Sequence, residues 1–194
     1  MHKLFVSEGI VLGKRGLGEA NTLVAILTRE LGLVKAVARS ARREASKLRY
    51  GIEPLSRGTY SFIRGKHEWK LTGAVDVVHE LRADELSAEK RQAMGRIARL
   101  LLRLIHGEEF NQGLYDTVAQ GLGALSRSEG VYAQSIETVL VLRIISHLGY
   151  LPQTPELKPF IEQDFFSLEL QAEVAASKEL LVKAINESLG ATGL

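Results

Sequence analysis

Two apolar periodicities divide this chain near residue 80. Before that point β-branched and aromatic residues come in short runs punctuated by glycine, the spacing of a small all-β module. Candidate strands run from about Phe5 to Lys14, Thr22 to Thr28, Leu33 to Arg39, Thr59 to Arg64 and Glu68 to Val78. Tyr60 and Phe62 share one face of the fourth, and Trp69, Leu71 and Val75 one face of the fifth. Arg64-Gly65-Lys66-His67 supplies a hairpin turn between them. The second run reads two ways: Leu23, Ile26, Leu27 and Leu31 fit a helical period, whereas Thr22, Val24, Ile26 and Thr28 alternate as strand residues do. The strand reading is favoured. Five short strands without crossover helices predict a closed or nearly closed antiparallel barrel, of which the OB-fold is the commonest five-stranded version.

After residue 80 the period becomes 3.6. Met94, Ile97, Leu101, Leu104 and Ile105 make one apolar helix face, preceded by Asp84-Glu85, which suit a helix N-terminus. A second helix is expected from Gly113 to Ser126, weakened by Gly121 and Gly123. The third, Val131 to Leu148, is apolar nearly all round and belongs at the centre of a bundle; Gly149-Tyr150-Leu151-Pro152 writes its stop. Residues 153–159 read as a connecting loop. A last helix from about Leu168 to Leu189 closes the bundle with Leu170, Val174, Leu181 and Ile185. The expected organisation is a barrel domain over residues 1–80 and an all-α helical bundle over residues 81–194.

Charge divides at the same place. Residues 1–80 hold 14 Lys and Arg against 8 Asp and Glu, net +6; residues 81–194 hold 11 against 15, net −4. The first module therefore suits polyanions, and the second suits neutral or basic partners. With 45% hydrophobic and 25% charged residues the chain has the balance of a core-forming globular protein. It contains no cysteine, which excludes disulfides, thiolate nucleophiles and Cys-ligated metals. No window approaches the roughly 18 apolar residues of a membrane span, and the first residues meet acid at Glu8 too early for a secretory segment. A cytoplasmic protein is expected.

Candidate chemistry concentrates between Lys35 and Arg49. Lys35, Arg39, Arg42, Arg43, Lys47 and Arg49 face the single acid Glu44, net +5 in 15 residues. The stretch follows a predicted strand and reads as a loop presenting charge. Such a cluster binds phosphates by releasing condensed counterions, at about 0.7 log unit of affinity per phosphate per decade of salt on single strands. The bland alternative is a solvated basic loop. Tyr50, beside this charge, is the better base-stacking candidate, while Phe62 and Trp69 favour core packing. Arg96, Arg99 and Arg103 form a helix stripe that reads as a solvated edge or an extension of the binding track, and Arg143 and His147 read as a structural pair on the third helix. The five histidines are scattered, and neither a phosphate-binding loop nor a nucleophile elbow is present; Gly13-Lys14-Arg15-Gly16-Leu17-Gly18 lacks dinucleotide-binding spacing. A non-enzymatic protein without cofactor is expected.

The order of several blocks resembles the RecO family of bacterial recombination mediators. They are Gly18-Glu19-Ala20-Asn21-Thr22-Leu23, Leu27-Thr28-Arg29-Glu30-Leu31-Gly32, Ala38-Arg39-Ser40-Ala41-Arg42-Arg43, Ser46-Lys47-Leu48 and Glu53-Pro54, then Leu142 to Pro152 more faintly. The resemblance implies an N-terminal OB-fold followed by a helical domain, binding of single- and double-stranded DNA, and annealing of complementary strands. It further implies work with RecR, and with the acidic tail of single-stranded DNA-binding protein, in loading RecA. The family's DNA-binding basic residues map onto Arg39, Arg42, Arg43 and Lys47, and the second run becomes a strand. Many members carry a four-cysteine zinc site after the Leu-Gly-Tyr block; here that region has none, implying a short variant without it. Two rival readings are an RNA-binding barrel and a protein-interaction scaffold.

Overall fold

A computed structural model describes residues 3–80, 86–163 and 168–191. The five strands are β1 (Leu4–Leu17), β2 (Asn21–Thr28), β3 (Gly32–Ala38), β4 (Ser56–Arg64) and β5 (Trp69–His79). They close into a barrel in the order β1-β2-β3-β5-β4. β1 serves two neighbours: Leu4 to Ile10 pair with β4, Gly9 to Leu17 pair with β2, and a bulge between Val11 and Gly13 bends the strand between these tasks.

Four of the five pairings are antiparallel, and β3 with β5 is parallel, which corrects the wholly antiparallel expectation. The reason is arithmetic. Directions cannot alternate all the way round a ring with an odd number of strands, so one neighbouring pair must run the same way. Because β5 takes the place beside β3, the chain must cross to β4 beyond it in a long connection, the 17 residues 39–55, and this segment builds the site described below.

The barrel interior holds Val11, Val24, Ile26, Val34, Ala36, Ile52, Tyr60, Phe62, Trp69 and Leu71. Trp69 meets Phe5 and Phe62 edge-on, with centroids 5.1 and 6.2 Å away, contacts that contribute about 1 kcal/mol each beyond simple burial. Val75 departs from expectation, being 56% exposed. Ser61 pairs with Gly73 but Phe62 with Leu71, so Thr72 is an extra residue and the later part of β5 turns its other face inward.

The helices are α1 (Leu48–Gly51), α2 (Ala88–Leu104), α3 (Gln112–Arg127), α4 (Ala133–His147), α5 (Lys158–Glu162), α6 (Leu168–Ala176) and α7 (Lys178–Ala191), with a 3-10 turn at Gly130–Tyr132. The chain divides into two compact units, Met1–Asp84 with Ala98–Tyr115, and Glu85–Ile97 with Asp116–Leu194. In the second unit α4 packs against α5, α6 and α7 and buries Ile136, Val139, Leu140, Leu142, Ile144 and Ile145, as its apolar sequence requires. Gly149, at φ 76°, ends it, and the Tyr150 N–H donates to Ile145 O at 2.9 Å. Helix α3 runs unbroken through its glycines, and a Cβ on Gly121 would lie 2.5 Å from Leu140 Cδ1, so the missing side chain makes room for that leucine of α4.

Three further sequence expectations change. The expected last helix is interrupted at Ser177, although the Ser177 N–H still reaches Glu173 O and its carbonyl accepts from Leu181. The expected loop at residues 153–159 runs into α5, with Pro159 in its first turn, where the missing N–H costs nothing. Arg143, 7% exposed, donates from Nε to Phe160 O at 2.8 Å and from Nη2 to Gln163 O, fastening the end of α5 to α4. The Asp84-Glu85 helix start lies outside the described residues; α2 as described has Glu89 in its first turn. Among the described residues no helix is long and apolar enough to cross a membrane.

Candidate nucleic-acid interface

The 39–55 connection begins with a sharp reversal. Ser40 takes φ 52°, a conformation that costs a non-glycine residue energy, and its N–H is held by Asn21 Oδ1 at 3.0 Å. The Arg42 N–H then donates to Ala20 O at 3.1 Å, and successive turns from Ser40 to Arg43, Arg43 to Ser46 and Ser46 to Arg49 lead into α1. Ala41 and Ile52 are buried in the barrel core, with Leu48 packed against it. The buried Tyr60 hydroxyl donates to Gly51 O at 2.9 Å, and the segment leaves through Leu55, at φ 62°, whose N–H bonds Val11 O. Apolar residues at intervals plug the barrel, so the charged residues between them are turned to solvent. This is a packed cap rather than a free loop.

Arg42, Arg43, Lys47, Arg49 and Tyr50 are all exposed, Tyr50 by 60%. Arg42 and Arg49 border a groove of about 510 Å³ together with Lys14, Arg15 and Gly16 from β1 and Thr22 from β2. Glu53 is the acid that lines it, and its carboxylate pairs with Lys14 Nζ at 2.8 Å. Arg42 donates from Nη1 to Gly18 O at 3.1 Å, which holds the guanidinium at the groove edge. The side chains of Arg15, Arg43, Lys47 and Arg49 form no ion pair among the described residues.

The structure does not gather all seven sequence candidates. Lys35 lies within β3 on the outer barrel surface, level with Ala25 of β2, and Arg39 stands 4.0 Å from Glu68 beside the β4–β5 loop. Phe62 and Trp69 are core residues. Lys14 and Arg15 were missed as site residues, although the sequence carried their signal: two adjacent bases in a glycine-rich run, set aside because the spacing is wrong for a nucleotide loop. A 14-residue β1 carries that run past the barrel rim to the side of the cap.

On the second unit Arg96 is committed. Its Nε and Nη2 donate to the two Glu137 oxygens at 2.7 Å each, and these hydrogen bonds raise its pKa against the opposing effect of burial. Arg99 and Arg103, which belong to the first unit, are exposed. Burial, and then the charge of Arg143, lower the His147 pKa, and its Nε2 lies 2.8 Å from Thr117 Oγ1. Among the described residues no group of three or more His, Asp or Glu side chains converges to hold a metal ion.

The geometry is thus a cationic groove on a five-stranded barrel. A family model described as Recombination protein O N terminal matches residues 1–78, the barrel itself. The chain is 31% identical over 160 residues to the DNA repair protein RecO of Moorella thermoacetica, an alignment covering 79% of this chain and 56% of the relative. The chain belongs to the RecO family. RecO proteins of Heliobacterium modesticaldum and Exiguobacterium sibiricum are each 29% identical, over 78% and 75% of this chain and 54% and 57% of their own lengths. The chain spans a little over half the length of these RecO relatives.

Proposed function

We propose that this chain is a DNA-binding mediator of recombination and repair that acts without catalysing a covalent step. The strand order 1-2-3-5-4, with a helix-bearing connection between β3 and β4, supports reading residues 1–80 as an OB-fold nucleic-acid-binding domain; in this reading residues 81–194 are a helical partner-docking domain, of which 98–115 group with the barrel. The observation that carries the proposal is the groove in which Lys14, Arg15, Arg42 and Arg49 converge, flanked by Arg43 and Lys47, which form no ion pair among the described residues. Phosphate oxygens satisfy such a cluster without reference to base identity, which suits a protein that holds any single or double strand.

Annealing is opposed by repulsion between two phosphate backbones. A groove that neutralises several phosphates on one strand lowers that barrier and leaves the bases free to pair. Tyr50, projecting beside Arg49, is placed to stack on an unpaired base. In this reading the chain binds single- and double-stranded DNA in the cytoplasm, engages RecR and the acidic tail of single-stranded DNA-binding protein, and promotes RecA loading on coated gaps.

The test is annealing of complementary oligonucleotides coated with the cognate single-stranded DNA-binding protein. Replacing Arg42, Arg43 and Lys47 together with Ala is expected to slow annealing by at least tenfold with the fold intact. An unchanged rate refutes the assignment. Structured RNA outcompeting single-stranded DNA of equal length by a wide margin points instead to an RNA-binding barrel.

A further inference from the structure

The barrel carries a second cationic position, and an acid of the same unit sits in it. Arg64 ends β4 and Trp69 begins β5, with the guanidinium over the indole at 5.3 Å from the ring centroid. Glu108, from the connection between α2 and α3, reaches both. Its Oε1 accepts from the indole Nε1–H at 2.6 Å, and its Oε2 lies 3.6 Å from Arg64 Nη2. An indole N–H and a guanidinium thus converge on the two oxygens of one anion, with the cation steadied on the ring below it. This is the donor set that phosphate oxygens use, and a carboxylate is the nearest mimic a protein can supply.

The connection bearing Glu108 is seated closely on the barrel. Gly32, the first residue of β3 at φ 69°, has no room for a Cβ, which would lie 2.4 Å from the Glu109 carbonyl oxygen and 2.8 Å from the Glu108 carbonyl carbon. Gly107, at φ 92°, sets the bend that delivers the carboxylate. The contact is nonetheless open to exchange: the Arg64 and Glu108 side chains are 62% and 41% exposed, and ion pairs of that exposure are worth little in water.

The start of the 39–55 connection lies near this position. Arg39 stands three residues before Arg42, 4.0 Å from Glu68, and Glu68 immediately precedes Trp69. The parallel pairing of Ala36 to Ala38 with Trp69 to Leu71 sets the two segments side by side.

We propose that Arg64 and the Trp69 indole N–H form a phosphate subsite that Glu108 occupies in cis, so that residues 105–111 act as an acidic strap which nucleic acid displaces. The inference rests on the nucleic-acid reading of the groove and adds to it a competitor built into the same unit. The strap raises the threshold for retaining a strand, because a single phosphate must displace a tethered anion, whereas a strand already held in the groove presents its phosphates at high local concentration.

The test is binding of fluorescently labelled oligo(dT) by the full chain and by Glu108→Gln, which keeps an acceptor for the indole but removes the charge. The variant is expected to bind about two- to fivefold more tightly at low salt, the equilibrium worth of one exposed ion pair, with the gain fading as salt is raised. Glu109→Gln, the same change of charge on the neighbouring residue, is expected to give a much smaller gain. The Glu108→Gln gain is expected to vanish in an Arg64→Ala background. Because Trp69 is the only tryptophan in the sequence, its emission in the unmodified chain reports loss of the carboxylate when oligonucleotide saturates. Equal affinities of the unmodified chain and Glu108→Gln, or a gain that persists without Arg64, overturn the strap while leaving the groove standing. Absence of salt-dependent binding by the unmodified chain overturns both.

Discussion

The most direct consequence of the groove is the salt dependence of binding. Arg15, Arg43, Lys47 and Arg49 are unpaired among the described residues, and Arg42 commits one N–H to Gly18 O while the rest of its fork stays available. Five such cations, at about 0.7 each on a single strand, give a slope of log affinity against log salt of about −3.5. Lys14 adds little, because Glu53 already neutralises it at 2.8 Å. Removing Arg42, Arg43 and Lys47 leaves two of the five, so the slope should fall to about −1.4. At 0.1 M salt each contact contributes about 0.7 log unit relative to 1 M, and the triple variant should bind about a hundredfold more weakly. The assay is fluorescence anisotropy of labelled oligo(dT) titrated across a series of KCl concentrations, with urea midpoints compared to confirm an intact fold. A triple variant that keeps the original slope refutes the reasoning, because affinity would then come from elsewhere. So does a variant that loses affinity with no change in slope, because the loss would not be electrostatic.

Two further outcomes follow from the packing. Tyr60→Phe should destabilise the barrel by about 1–2 kcal/mol, because it leaves the Gly51 carbonyl under the cap without its 2.9 Å donor; urea unfolding followed by Trp69 emission measures it, and an unchanged midpoint rejects Tyr60 as the anchor of the cap. The second unit should lose stability as pH falls through the ordinary histidine range. Burial, and then Arg143, lower the His147 pKa in the fold, so the unfolded chain binds its proton more readily, and this contribution is present above about pH 6.5 and is lost as pH falls below it. His147→Gln should flatten that part of the profile measured by urea unfolding, and an unaltered profile assigns the dependence to another group.

How much of this was legible in the sequence depends on the range of the interaction involved. All five strands and the central helix α4 were readable, because alternation and the 3.6 period record which face of each element meets apolar neighbours. The basic stretch was readable as charge. Its conformation was not, since burial of Ala41 and Ile52 and the hydrogen bond from Tyr60 to Gly51 are contacts with distant strands. Val75 was misplaced because one extra residue in β5 shifts the alternation, and a bulge is fixed by the partner strand rather than by local propensity.

By itself, then, the sequence determined the two-part organisation, the polarity of each part, the family blocks and a cationic segment that cannot be buried without partners. Tertiary structure decided which of those cations share one surface. Closing the ring and packing the cap brought Lys14 and Arg15 beside Arg42 and Arg49 and sent Lys35 to the outer surface of β3, and the α2–α3 connection placed Glu108 on Arg64 and Trp69. The physical reason is that charge is a property of residues one at a time, whereas a binding groove depends on distances between residues far apart in the chain, and only strand pairing and packing together set those.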